Sequence, residues 1–181
     1  MVVKTIEIER KFLVCNDSWR TSVVVSHTLQ QGYLSRHRER SVRIRVIDGT
    51  SARLTVKFAS RGLAREEYEY NIPVFEACEL LRHVNGTVLE KTRYIVSHGD
   101  AIWEIDVYSG AYEGLTIAEI EMSNEHDVLA LPGWLGREVT GDQKYSNRAM
   151  AARRCVTASP PVPHESIRSA SRGQSSNWSL D

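Results

Sequence analysis

Carboxylates and bases recur two residues apart along this sequence, and the rows are nearly single-signed. Glu7 and Glu9 precede Lys11, and then come Arg43 and Arg45, the row Arg53, Thr55 and Lys57, Glu67 and Glu69, Lys91 and Arg93, Glu104 and Asp106, and Glu119 and Glu121. A spacing of two places side chains on one face of a β-strand. Paired carboxylates supply the oxygen ligands that hard divalent cations prefer. Paired bases hold anionic oxygens, arginine through a bidentate fork and lysine as a point charge. The rows thus describe two ligand surfaces of opposite sign, and a polyphosphate chain chelated to a divalent ion satisfies both.

The residues between those charges are apolar or aromatic: Val42, Ile44 and Val46, Leu54, Val56 and Phe58, Tyr68 and Tyr70, Ile105 and Val107, Ile120 and Met122. Each segment therefore has one apolar and one charged face. A charged face lying in water gains nothing from like charges two apart, and interspersed signs would be more soluble. The alternation predicts strands over 3–14, 28–35, 41–47, 52–58, 66–72, 88–96, 101–108 and 115–122. Asp48-Gly49 and Gly99-Asp100 stand where tight hairpin turns belong. Residues 74–84, after Pro73, read as a helix capped at Asn85-Gly86, and 145–154 as a closing helix. The expected fold class is mainly β (α+β): an eight-stranded antiparallel closed barrel, helices outside, charged face lining a lumen. About fifteen charges cannot sit unpartnered in a dry interior, so the lumen is expected to be wet and filled by ligand.

The chain has 181 residues, 41% of them hydrophobic, enough for one domain with a complete core. The domain is placed at 1–155, and the Ser/Pro-rich stretch 156–181 reads as a disordered tail with Trp178 as its one large anchor. Lys plus Arg and Asp plus Glu balance at 23 each, but the signs are segregated. Residues 1–65 carry 13 basic and 5 acidic groups (13 − 5 = +8), and 66–155 carry 8 basic and 16 acidic (8 − 16 = −8). Zero net charge argues against nucleic acid as the main partner. No segment has the length of a membrane span and no secretory leader is visible, so a cytoplasmic protein with no membrane partner is expected. Cys15, Cys78 and Cys155, odd in number and widely spaced, read as free, buried thiols in a reducing compartment. The oligomeric state stays open, with a homodimer among the options.

Glu7-Ile8-Glu9-Arg10-Lys11 forms an E-x-E-x-K signature. It is followed by Gln31-Gly32-Tyr33-Leu34, Arg43-Ile44-Arg45, Thr55-Val56-Lys57, Glu67-Tyr68-Glu69, Glu90-Lys91-Thr92-Arg93-Tyr94, Trp103-Glu104-Ile105-Asp106 and Ala118-Glu119-Ile120-Glu121. Trp134 through Thr140 and Lys144-Tyr145-Ser146-Asn147 close the series. In this order the motifs resemble the CYTH domain of the triphosphate tunnel metalloenzymes, over about residues 3 to 152.

The resemblance implies a compact bacterial-type inorganic triphosphatase, a hydrolase cutting tripolyphosphate to diphosphate and phosphate with Mg²⁺ or Mn²⁺. It implies Glu7, Glu9, Glu119 and Glu121 as leading metal ligands, with Glu67, Glu69 and Asp106 as further ones. Lys11, Arg43, Arg45, Lys57, Lys91 and Arg93 would hold phosphate oxygens, and Lys144 would close the site. Lys11, Glu9 and Tyr33 are the implied catalytic groups. Tyr33 is either a proton acceptor or a hydroxyl bonded to phosphate. Arg53 also reads as a solvated strand end, and Glu104 as a partner for a lumen arginine. Trp103 and Trp134 are expected to pack outside, and no histidine receives a catalytic role. An organic triphosphatase acting on thiamine or nucleoside triphosphate is the alternative. An adenylate cyclase is disfavoured because Thr5 and Ile6 stand where bacterial cyclases have His-Phe. A non-catalytic polyphosphate-binding module is disfavoured because it need not keep all four leading carboxylates.

Overall fold

The computed structural model describes residues 8–37, 39–59, 65–122 and 130–153. Glu7, Arg38, Cys155, the first part of the predicted first strand and the stretch 156–181 lie outside the described residues.

Every predicted strand is present, and a ninth is added. In chain order they are β1 (Ile8–Val14), β2 (Val23–Arg36), β3 (Arg40–Ile47), β4 (Ser51–Ala59), β5 (Arg65–Asn71), β6 (Leu89–His98), β7 (Ala101–Ser109), β8 (Thr116–Met122) and β9 (Leu135–Glu138). All pairings are antiparallel, in the order β5-β4-β3-β2-β6-β7-β8-β1-β9. Two-residue alternation accounts for this, since each strand buries one face and β-branched residues suit the pleat.

The closed barrel is not found. Closure would need β1 to pair with β5, but β9 takes the free edge of β1, with Phe12 opposite Glu138 and Val14 opposite Leu135. Backbone bonds from Cys15 to Trp134 and from Val139 to Lys11 extend that pairing. Arg10 reinforces it with a two-point bond to Glu138, at 3.0 and 2.7 Å. Among the described residues the sheet is open, with β5 and β9 at its edges.

The hairpin turns follow their residues. Asp48 (φ 52) and Gly49 (φ 65) occupy the two central positions between β3 and β4, and Gly99 (φ 58) opens the β6–β7 turn. Asp48 also ties this turn to β2. Its Oδ1 accepts the Thr28 backbone N–H at 2.7 Å, and its Oδ2 lies 2.6 Å from His27 Nδ1.

The apolar faces form two outer clusters. α1 (Val74–Arg82) lays Val74, Ala77, Leu80 and Leu81 against Ile44, Val46, Ala52 and Leu34. Gly32 permits this approach: a Cβ there would stand 2.6 Å from Val84 Cγ1 and 3.1 Å from Leu81 Cδ2. The second cluster joins Phe12, Trp19, Trp103, Ile105, Ile120 and Trp134 over β6, β7, β8 and β1. Trp103 meets Phe12 and Trp134 edge to face, at 5.8 and 5.3 Å. Trp103 and Trp134 thus pack outside as expected, while Trp19 enters from a 3-10 turn (Ser18–Ser22) that alternation does not reveal.

The expected closing helix is split. Ser146 is extended, and its Oγ accepts the Ala149 N–H, so α2 begins only at Asn147 (Asn147–Ala152), with a 3-10 turn (Gln143–Tyr145) before it. Cys15 and Cys78 are free thiols as expected, but both are exposed instead of buried. Cys78 follows the buried Ala77 and so falls on the solvent side of α1.

Gly32→Ala forces a stiff valine aside and is expected to destabilise by about 1–3 kcal/mol, read as a lower urea midpoint. The Asp48 carboxyl lies below its ordinary value because it accepts from His27 and the Thr28 backbone. Its contribution to stability is complete above the unfolded value of about 3.9 and lost as pH falls through the lower folded value. The stability advantage of wild type over Asp48→Asn should therefore shrink between pH 5 and pH 2.5, and a pH-independent difference would contradict this.

Candidate functional site

The face opposite the apolar clusters carries the charged rows, and strand register decides which charges meet. Lys11 on β1 lies directly across from Glu119 on β8. Its Nζ is 2.8 Å from Glu119 Oε1 and 3.1 Å from Glu9 Oε1. Arg93 on β6 faces Asp106 on β7, donating Nε and Nη2 to its two oxygens at 2.7 Å each. The same guanidinium donates to Glu104 and, at 3.2 Å, to Glu119. Lys91 also donates to Asp106, and both of these side chains are fully buried.

A second set lies on β3, β4 and β5. Lys57 Nζ is 2.6 Å from Glu67 Oε2. Arg43 Nη2 donates to Thr55 Oγ1 at 3.1 Å and to Glu69 Oε1 at 3.3 Å, while Arg53 Nη1 reaches Glu69 Oε2 at 3.1 Å. Between the sets lie Arg45, Gln31 and Tyr33. Gln31 pairs with Arg45 and Tyr33 with Arg43 in the β2–β3 register.

Electrostatics follow from these partners. Burial alone would raise the Asp106 carboxyl, yet Lys91 and Arg93 hold it far below the usual range. Burial lowers the Lys91 ammonium to about 8, with Arg93 and Arg45 adding to the fall and Asp106 opposing it. For Lys11 the order reverses: burial pulls the ammonium down, but Glu119 and Glu9 together raise it. Burial pushes the Tyr33 hydroxyl up, against the lowering influence of Arg43, Arg45, Lys11 and Arg148. Arg45 falls to about 10 through burial and the neighbouring Arg43 and Arg93.

The structure therefore brings together Lys11, Glu9, Glu119, Arg93, Lys91 and Asp106, and separately Arg43, Lys57, Glu67 and Glu69. Many of these charges form cross-strand ion pairs, because opposite signs meet on adjacent strands. Lys144 is not drawn in. It is exposed on the 3-10 turn, with its ammonium 5.5 Å from the Tyr145 ring centre. Arg148, next to Ser146-Asn147, went unassigned; its influence on Tyr33 depends on α2, which carries no alternation signal.

Like charges also meet. Glu9 lies opposite Glu121, and Glu104 opposite Glu119. Burial pushes the Glu104 carboxyl up, Arg93 opposes this, and Asp106, Glu119 and Glu121 add to the rise. Among the described residues no group of three His, Cys, Asp or Glu side chains is gathered to hold a metal ion. The donors at this end are nevertheless oxygen only, and Glu9 and Glu121 are exposed and opposed, which fits a hard divalent cation.

An apolar wall closes one end of the charged face. Leu89, Tyr108, Ile117 and Leu13 continue the rows of Lys91, Asp106, Glu119 and Lys11, and they pack with Tyr33 under Met150 and Ala151 of α2. The Tyr108 hydroxyl donates to Asn147 Oδ1 at 2.8 Å, and that of Tyr112 to the Met150 carbonyl at 2.6 Å.

An antiparallel sheet with its apolar core on one face and paired bases and carboxylates on the other has the chemistry of an oxyanion-binding protein. Residues 5–150 match the CYTH domain, and the chain belongs to that family. It is 45% identical over 142 residues to an inorganic triphosphatase of Acetivibrio thermocellus, covering 78% of this chain and 90% of that protein. It is 37% identical over 149 residues to one of Nitrosomonas europaea, covering 80% and 96%. A crystal structure of an inorganic triphosphatase superposes with a TM-score of 0.65 at 33% identity, covering 84% of this chain and 96% of that one.

Asp106→Asn leaves Lys91 buried beside a neutral partner and is expected to cost about 3–5 kcal/mol in urea unfolding. Lys91→Met should cost less, because Arg93 still neutralises Asp106. Equal losses would contradict the assignment of Asp106 as the shared anion.

Proposed function

We propose that this protein is a metal-dependent inorganic triphosphatase, hydrolysing tripolyphosphate to diphosphate and phosphate on the charged face of its sheet. The observation that carries the reading is the single face on which Lys11, Arg43, Arg45, Lys57 and Arg93 stand with Glu9, Glu119 and Glu121, with the buried Tyr33 directly across from Arg43. A face of several bases beside carboxylates suits a multiply charged anion, and the two curated relatives bear the name of that activity.

Mg²⁺ or Mn²⁺ would be held by Glu9 and Glu121, with Glu119 beside them and Glu7 as the remaining candidate from the signature. A divalent ion bound there supplies charge neutralisation for the triphosphate and the departing diphosphate. Lys11, Arg43, Arg45, Lys57 and Arg93 bind phosphoryl oxygens, taking substrate in place of carboxylate partners. Tyr33 keeps its proton, because burial raises its hydroxyl, and so donates a hydrogen bond to a phosphoryl oxygen. Glu9, 47% exposed and held only by Lys11 among the described residues, accepts the proton of water as its oxygen attacks the terminal phosphorus. The bridging P–O bond breaks and diphosphate leaves.

Lys91 and Asp106 are buried away from solvent, so their role is to fix Arg93. Glu67 and Glu69 fix Lys57 and Arg43 in the same way. Among the described residues Lys144 makes no contact that supports a closing role. Exposed free thiols at Cys15 and Cys78 fit a reducing compartment and support a cytoplasmic location. Among the described residues no helix is long and apolar enough to cross a membrane.

The test is phosphate release from tripolyphosphate, ATP and thiamine triphosphate with Mg²⁺ or EDTA. Wild type should act on tripolyphosphate only with the metal, and Lys11→Ala and Glu121→Gln should each lose about 100-fold or more in kcat/KM. Preference for either organic substrate would replace the assigned substrate, and binding without turnover would replace the enzyme with a polyphosphate holder.

A further inference from the structure

One base on the charged face has a partner unlike the others. Lys11, Arg43, Arg53, Lys57, Lys91 and Arg93 each have a carboxylate within ion-pair distance. Arg45 has none among the described residues; its Nε and Nη2 donate, at 3.0 and 2.8 Å, to the amide oxygen of Gln31. Gln31 is completely buried, and its Nε2 has no hydrogen-bond partner among the described residues. The amide orientation follows from chemistry: both Arg45 nitrogens are donors, so the oxygen must face them and the NH₂ must point away. On the next same-face rung of β2–β3, Arg43 Nε is likewise buried and unpartnered.

A buried donor without an acceptor is costly, by roughly the desolvation of that group, and such donors in a folded protein call for an explanation. Here the missing acceptors lie beside a guanidinium that no carboxylate neutralises. We propose that Gln31 and Arg45 form a carboxylate-free subsite for one phosphoryl group of the substrate. In it Gln31 Oε1 fixes the guanidinium and Gln31 Nε2 donates directly to a phosphoryl oxygen. The neutral amide is essential to this arrangement. A glutamate would hold Arg45 as firmly, but it would cancel its charge and turn an acceptor toward the anion. The subsite lies on β2 and β3, on the far side of β6 and β7 from the β8 carboxylates, so it takes the phosphoryl group remote from the cation end.

This rests on a triphosphate being the ligand, so the experiment separates the two claims. Tripolyphosphate binding is measured by calorimetry, with Ca²⁺ replacing Mg²⁺ to suppress turnover, alongside kcat and KM in Mg²⁺ and the melting temperature. The proteins are wild type, Gln31→Glu and Gln31→Met. Gln31→Glu should melt at or above the wild-type temperature, because it gives Arg45 an ion pair, and yet bind tripolyphosphate about 10- to 100-fold more weakly. The loss should appear mainly in KM. Gln31→Met, which keeps the volume and removes both polar atoms, should lose a similar factor in affinity. A merely structural glutamine would lower the melting temperature and leave affinity unchanged; unaltered binding in either folded variant overturns the proposal. Wild type that binds tripolyphosphate without hydrolysing it overturns the enzyme reading while the affinity comparison still decides the role of Gln31. Wild type that does not bind tripolyphosphate overturns both.

Discussion

The bond between Arg93 and Asp106 is the constraint on which the charged face depends. Asp106 is fully buried, and a carboxylate in that position is tolerable only with opposite charge against it. Arg93 supplies two parallel hydrogen bonds across the β6–β7 rung and spends its remaining donors on Glu104 and Glu119. Glu119 in turn holds Lys11. A single guanidinium thus connects β6, β7 and β8 and, through Glu119, reaches β1. That chain of charge-assisted bonds lets four neighbouring strands turn ionised side chains inward.

Placing charge on the inner face forces the apolar core to the other side of the sheet, where among the described residues only short segments cover it. α1 has nine residues and α2 six. The cover is therefore assembled from pieces: α1 over β2, β3 and β4, and Trp19 and Trp134 over β6, β7, β8 and β1. Gly32 shows the coupling between the two sides. Its missing side chain lets Leu81 and Val84 approach β2 from outside, and its neighbours Gln31 and Tyr33 consequently stand at fixed height on the inner face. The Q-G-Y-L motif is one device with a packing half and a binding half.

What sequence reveals here follows from which signals are local. Period-two alternation needs only neighbouring residues, so Arg43 with Arg45 and Glu119 with Glu121 were legible as same-face pairs, and the eight strands with them. The turns at Asp48-Gly49 and Gly99 were legible because positive φ restricts residue choice. Closure was misread because Leu135-Gly136-Arg137-Glu138 is too short to alternate, yet it takes the edge of β1. The burial of Lys91 and Asp106 was not legible, since sequence lists both signs without showing that register sets Asp106 opposite Arg93 and diagonal to Lys91. Arg148 and Trp19 act from a helix and a 3-10 turn whose positions depend on packing partners distant in the chain.

The zero net charge acquires a physical meaning from the pairing. Without ligand, Lys11 rests on Glu119 and Glu9, and Arg43 on Glu69, so the basic half of the sequence is neutralised by the acidic half. On the proposed reading, an anion that takes Lys11 leaves Glu119 and Glu9 without their base, in a part of the sheet where Glu104 and Glu121 already oppose them. A cation that takes those carboxylates alone leaves Lys11 and Arg93 without theirs. Each ligand relieves the imbalance created by the other, so their binding free energies are coupled and the coupling is reciprocal. Arg45 stands outside this exchange. Its partner is an amide that loses nothing when an anion arrives, which makes it the base able to engage substrate before any ion pair has opened.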